Sequence, residues 1–177
     1  MTAPGRKIIQ RLARHPDTPC EAVTDLAAEA GRDGPGGLAL RYVLAGALAQ
    51  LVLPPPARPG RADGLWRHTC FEAFVALGDG GYLEFNFAPS GRWAAYRFEG
   101  YRRGMAPLEV APPRIQVEAT DRRLEMRVAL DLGEHRPLRL GLTAVIEEPG
   151  GRLAYWALRH AAGPPDFHNV EGFVLGL

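Results

Sequence analysis

Three stretches of the chain concentrate the side chains that could do chemistry. The first is Leu65-Trp66-Arg67-His68-Thr69-Cys70-Phe71-Glu72-Ala73-Phe74, followed closely by Glu84 and Asn86. If the first stretch is extended, Trp66, His68, Cys70 and Glu72 share one face, because successive strand residues alternate sides. Glu84 and Asn86 share a face of the next strand in the same way. Carboxylates and amides exchange hydrogen bonds with hydroxyl groups, and an indole packs on the apolar face of a sugar ring. This combination suits a sugar or another small polyhydroxy ligand. A sheet face open to water would carry the same residue types. The two glutamates also admit an acid and base pair of the kind that cleaves glycosidic bonds.

The second stretch holds Trp93, Tyr96, Tyr101, Arg102, Arg103 and Met105. Aromatic rings interleaved with arginines can stack on and neutralise nucleic acid. A formal net charge of +1 argues against that partner and against an anionic membrane. The third stretch is Tyr155-Trp156-Ala157-Leu158-Arg159-His160, then Pro164-Pro165-Asp166-Phe167-His168. Two histidines and an acid invite a metal reading, but histidines in loops are commonly plain polar surface. Asp166 after two prolines has the character of a turn former. The expected ligand contacts are Trp66, Glu72, Glu84, Asn86 and Arg102, with Trp93, Tyr96, Arg159, His160 and His168 as further candidates. Met105, His68, His160 and His168 could serve as heme ligands. No nucleophile motif, phosphate loop, cofactor fingerprint or CxxCH heme attachment site is present.

Strands must position these residues. Short alternating runs punctuated by Gly, Pro and Asp recur through the 177 residues, the pattern of an all-β domain. Leu38–Val43 alternates, and a second run covers Ala47–Leu53 before Pro54-Pro55-Pro56. Cys70–Leu77 and Tyr82–Ala88 flank Gly78-Asp79-Gly80-Gly81 and read as a hairpin. Its parity sets Leu83, Phe85 and Phe87 against Tyr82, Glu84 and Asn86. Arg92–Phe98 continues as a strand. Ile115–Ala119 with Leu124–Leu130, and Arg139–Ile146 with Leu153–Leu158, make two later hairpins, and Phe173–Leu177 reads as a closing strand. Met105–Pro113 is a loop. Glu21–Gly31 is ambiguous: Leu26, Ala27 and Ala30 have helical spacing, whereas Val23 and Thr24 are β-branched. The reading adopted is strand.

Cys20 and Cys70 are the only cysteines and have no metal-binding spacing; a disulfide between them is not expected. Met1–His15 lacks an apolar core of secretory length, and Val43–Leu53, the longest apolar stretch, is broken by Gly46 and Gln50. The expectation is a soluble cytoplasmic protein forming one domain over residues 1–177.

Taken in order, Leu65–Phe74, Tyr82-Leu-Glu-Phe-Asn-Phe-Ala-Pro-Ser-Gly91, Trp93–Phe98, Tyr101-Arg-Arg-Gly-Met105 and Pro165-Asp-Phe-His168 with Phe173 resemble the bacterial DOMON-like domain proteins. His15-Pro16-Asp17-Thr18-Pro19 looks like the opening of that family. The group is similar to the family 9 carbohydrate-binding modules. The resemblance implies a two-sheet antiparallel β-sandwich of the jelly-roll kind, with Glu21–Gly31 as a strand. It implies binding of sugars or heme, and leaves structural calcium open. The chain departs from the secreted modules in lacking a secretion signal, an attached catalytic domain and a pair of tryptophans forming a clamp. Thr69 also stands where those modules tend to carry an acid. The expected function is therefore a non-catalytic module for a carbohydrate or other small polar ligand, with a heme-binding domain or a carboxylate-pair hydrolase as alternatives and no cofactor required.

Overall fold

The computed structural model describes residues 7–137 and 139–177. Among the described residues, thirteen strands follow in chain order: β1 (Ile8–Arg11), β2 (Ala13–Arg14), β3 (Val23–Arg32), β4 (Gly37–Gly46), β5 (Gly60–Arg61), β6 (Cys70–Ala76), β7 (Tyr82–Phe87), β8 (Arg92–Phe98), β9 (Ala106–Pro107), β10 (Arg114–Ala119), β11 (Arg123–Asp131), β12 (Arg139–Glu148) and β13 (Arg152–Ala157). They form two sheets. One runs β1-β3-β4-β11-β10; the other has eight strands in the order β2-β13-β12-β6-β7-β8-β5, with β9 paired to β8. All pairings are antiparallel except the two-residue β5–β8 contact. The fold is a β-sandwich.

Strand parity builds the core. Leu26, Ala28 and Ala30 of β3, Leu38 to Leu44 in alternation on β4, and Leu124 to Leu130 on β11 face inward. From the opposing sheet come Phe71, Ala73, Val75, Leu83, Phe85, Phe87, Leu140, Leu142, Ala144 and Ile146. The Ala- and Glu-rich segment is strand because Leu26, Ala28 and Ala30 form a buried face beside β4, and that burial outweighs alanine's helical preference. Tyr42 ties the sheets together: its hydroxyl donates to the Glu72 carbonyl oxygen at 2.6 Å, inside the core.

The second face of the large sheet is covered as well. Phe74, Tyr82, Ala94, Tyr96, Phe98 and Phe173 form a separate buried cluster there, with Leu65, Trp66 and Phe167 against it. Phe173 reaches the sheet where Gly141 leaves room: a Cβ at Gly141 would lie 2.7 Å from the Phe173 ring. Every residue of β7 is therefore buried on both sides.

Several expectations change. Ala47–Leu53 is not a strand; Leu48–Gln50 forms a 3₁₀ turn that closes β4. Leu65–Arg67 is likewise a 3₁₀ turn entered through Gly64, so Trp66 and His68 are not in strand alternation with Glu72. At the C-terminus, Val170–Gly172 is a 3₁₀ turn, and only Leu175 bridges to the sheet, at Leu140. Cys20 and Cys70 are both buried free thiols. No described helix is long and apolar enough to cross a membrane. Residues 1–6 of the segment read for a leader lie outside the described residues.

Candidate functional site

The outer face of the eight-stranded sheet carries a pocket of about 420 Å³, lined by Trp66, Glu72, Glu84, Phe98, Arg102, Met105, Val145, Tyr155, Pro165, Phe167 and His168. The register of β6, β7 and β8 sets its floor. Glu72 lies opposite Asn86 and Thr143, while Glu84 lies opposite Phe74 and Tyr96. The two carboxyls are thus diagonal neighbours on adjacent strands, within reach of each other. Loops supply the walls: the Leu65–Arg67 turn, the segment after β8, and residues 164–168.

Both carboxyls are deeply placed, at 2% exposure for Glu72 and 5% for Glu84. Each has one oxygen held. Thr143 Oγ1 donates to Glu72 Oε2 at 3.2 Å, and Asn86 Nδ2 donates to Glu84 Oε1 at 2.9 Å. The other Glu72 oxygen has no protein partner. Among the described residues the only fully buried side-chain polar atom without a partner is Trp156 Nε1, so this Glu72 oxygen must open onto the pocket. Burial pushes the Glu72 carboxyl well above the usual range, and the neighbouring Glu84 pushes it further, against the Thr143 bond. Burial also raises Glu84, opposed by Asn86 and by the positive charge of Arg102. The pair favours holding a proton over carrying two charges.

A hydrogen-bond chain orients the histidine above them. The Arg102 backbone N–H donates to the Tyr82 oxygen at 3.2 Å, and the Tyr82 hydroxyl lies 2.7 Å from His168 Nδ1. Tyr82 and Nδ1 thus share one hydrogen bond, while the other ring nitrogen, Nε2, lies 3.8 Å from Glu84 Oε2. Burial and the Arg102 charge lower the His168 pKa to about 4, so the ring is neutral at neutral pH. Arg102 is the only non-glycine residue with positive φ among the described residues, at 51°. Its guanidinium donates to Asp166 Oδ1 at 2.8 Å, and the Tyr101 hydroxyl donates to Asp166 Oδ2 at 2.6 Å. Asp166 Oδ1 also accepts from the His168 backbone N–H. The turn former of the sequence is thus also the clamp between two pocket walls.

The structure brings together five of the ten expected contacts: Trp66, Glu72, Glu84, Arg102 and His168. Asn86 is fully buried beneath them and acts through Glu84, with the Cys70 thiol on its own oxygen. Tyr96 props Trp66 edge-on at 6.0 Å and donates to Asp63. Trp93 is a correction. Its parity is that of Ala95, so it faces the core between the sheets, with Arg61 over its ring. Arg159 and His160 do not line the pocket either. They follow the last residue of β13, and His160 bonds the Ala13 carbonyl and meets buried His15 edge-on at 4.9 Å. The polar face is not open to water, as a bare sheet face would be, because loops roof it. Sequence reasoning did not nominate Phe98, Val145, Tyr155, Pro165 and Phe167. Tyr155 and Phe98 had a legible signal, since their strand parity matches the site face.

No group of three or more His, Cys, Asp or Glu side chains suited to a metal ion occurs among the described residues. Of the heme candidates, Met105 and His168 line the pocket, but Tyr82 and Glu84 face the two His168 nitrogens. His68 is paired with Glu147 at 2.7 Å. Of the three candidate imidazoles only His168 reaches the pocket, and the heme reading is not supported.

No protein-family model and no curated protein matches the sequence. Among solved structures, the chain is similar in fold to a candidate carbohydrate-binding protein from Bacteroides uniformis, with a TM-score of 0.63 and 14% identity over 96% of this chain and 84% of that one. A family 9 carbohydrate-binding module from Caldicellulosiruptor kristjanssonii also aligns, in structures with glucose and with cellotriose. Both give a TM-score of 0.45, at 10% and 9% identity, over 86% and 90% of this chain and 76% and 75% of theirs.

Proposed function

We propose that this protein is a non-catalytic binding module that holds a carbohydrate or similar small polar ligand in the pocket on the outer face of its large sheet. The observation that carries this reading is the pocket's composition. Trp66, Tyr155, Phe98 and Phe167 line the same pocket as two carboxyls, each with one oxygen left without a hydrogen bond. Sugars present the same division, with apolar C–H faces for rings and hydroxyls for carboxyl oxygens. The shared fold with the Bacteroides protein agrees with this; at 14% identity that likeness speaks for the fold, and the ligand argument rests on the pocket's own residues.

The test is a thermal-shift screen of the full chain against mono- and oligosaccharides, followed by calorimetry. A ligand that binds only the native state must raise the melting temperature. The expected result is a shift with at least one sugar class that Trp66→Ala reduces by about tenfold or more in affinity, the effect of losing a central aromatic anchor. No shift with any sugar, or binding indifferent to Trp66→Ala, counts against the reading.

A further inference from the structure

The buried glutamates of this protein fall into two groups. Glu125 is ion-paired with Arg41, Arg123 and Arg127, Glu148 is ion-paired with Arg152, and Glu147 is hydrogen-bonded to His68 at 2.7 Å. Glu72 and Glu84 are the exceptions: among the described residues neither has a lysine or arginine in ion-pair contact, and the nearest basic group, His168, is neutral. Arg102 reaches the same pocket, but its charge is matched by Asp166. The pocket floor therefore carries two acids with no built-in counter-charge. Burying a carboxyl without a partner is costly, and proteins otherwise avoid it. Here the rest of the molecule shows arginine used freely for that purpose, so its omission at two adjacent positions leaves a place for a cation that arrives from outside.

The walls fit the same visitor. Trp66, Tyr155, Phe98 and Phe167 line the same pocket as the acids, and aromatic rings attract ammonium groups. Building on the carbohydrate reading, we propose that the pocket selects amino sugars, with the protonated amine seated between Glu72 and Glu84 and the ring against the aromatic walls. Neutral sugars would leave the two acids without a counter-charge, and uronic acids would bring a further acid beside them.

The proposal has a signature beyond affinity. The ionisable groups that face the two acids are Tyr42, Cys70, Tyr82, Tyr96, Tyr155, His168 and Arg102. The tyrosines and the thiol are shifted upward and stay neutral, His168 is neutral, and Arg102 stays charged. Of these groups, the carboxyl pair is the one left to give up a proton when a cation is seated. Seating a cation there favours the fully ionised pair, so binding releases a proton to the buffer.

The experiment is calorimetry on the full chain with glucosamine, N-acetylglucosamine, glucose and glucuronate, and with ethanolamine as an amine that has no sugar ring, in two buffers of different ionisation enthalpy. The expected result is glucosamine binding about tenfold or more tighter than glucose or N-acetylglucosamine, about 1.4 kcal/mol. Proton release should accompany glucosamine alone. Glu72→Gln and Glu84→Gln should each erase most of that preference and the proton release with it, weakening glucosamine by about tenfold more than they weaken glucose. Equal binding of glucose and glucosamine would overturn the inference and leave the carbohydrate reading standing. Equal binding of ethanolamine and glucosamine would overturn the sugar part of it. No binding of any of the four sugars would remove both.

Discussion

Replacing Glu72 with glutamine should make the ligand-free protein more stable at neutral pH. The amide has nearly the same size and shape, and its oxygen can still accept from Thr143. What disappears is the ionisable group: a carboxyl at 2% exposure, with one hydrogen bond and another carboxyl beside it. Leaving a buried polar group unsatisfied costs about 1–3 kcal/mol, and more for a charge. Removing that burden should gain about 1–3 kcal/mol, worth roughly 2–12 °C in melting temperature for a domain of this size. The pH dependence has a definite sign. Because the folded-state pKa is raised, the native state binds a proton more tightly than the unfolded chain. Below the ordinary carboxylate range Glu72 is protonated in both states, and wild type and variant should differ little. As pH climbs past that range, wild type loses stability relative to the variant until the folded-state pKa is passed, and the gap then stays constant. Thermal and chemical denaturation of both proteins across a pH series from acid to neutral measures this gap. Since each single change also removes the repulsion between the two acids, Glu72→Gln with Glu84→Gln should gain less than the sum of the two singles. A variant no more stable than wild type at neutral pH, with an unchanged pH slope, would show that the fold stabilises the ionised carboxyl and would refute the argument.

Trp93→Ala should destabilise by about 3–5 kcal/mol, the usual cost of emptying a tryptophan-sized core site, and leave ligand affinity of the folded fraction unchanged; Trp66→Ala should do the reverse, as denaturation paired with calorimetry would reveal. Gly141→Ala forces Phe173 off its seat and should cost about 1–3 kcal/mol by overpacking, with a weaker sugar signal because the cluster beside the pocket shifts. Glu125 is held at a pKa of about 2 by hydrogen bonds from Arg41 and Arg123, so its stabilising contribution is complete above the ordinary carboxylate range and fades as pH falls toward that value. Glu125→Gln should flatten the acid limb of the stability profile, and an acid limb identical to wild type would contradict this.

Most of the fold was legible because alternation is strong wherever one face packs and the other does not. The β6–β7 hairpin, β8, and the pairs β10–β11 and β12–β13 follow from period-two patterns and their turns. Ala47–Leu53 misled because its apolar residues pack from a 3₁₀ turn and extended chain, where Leu48 and Leu51 are buried without a sheet partner. The site was half legible for a related reason. Parity correctly put Glu72, Glu84 and Asn86 on one face. It could not say that loops remote in sequence would roof that face, which turns a would-be surface into a pocket floor. Trp93 illustrates the limit: tryptophan suggests a platform, yet its neighbour Ala94 holds the outer-face position. Arg159 and His160 were nominated for their chemistry, and the chain leaves the sheet just before them.

The rim's construction bears on how tightly such a pocket can bind. A left-handed arginine costs about 1–2 kcal/mol, since its Cβ crowds the carbonyl that follows. Arg102 keeps that conformation because three contacts need it: its N–H on Tyr82, its guanidinium on Asp166, and through Tyr82 the orientation of His168. Asp166 in turn receives Tyr101 and the His168 backbone, so residues 101–102 and 166–168 are fastened to each other and to β7 before any ligand arrives. An ordered rim spares the ligand the entropy of arranging it, and that saving appears directly as affinity. The strain at Arg102 and the unpaired acids beneath it are local costs of the same kind. Each destabilises the empty protein slightly, and each leaves the pocket shaped and charged for its ligand in advance.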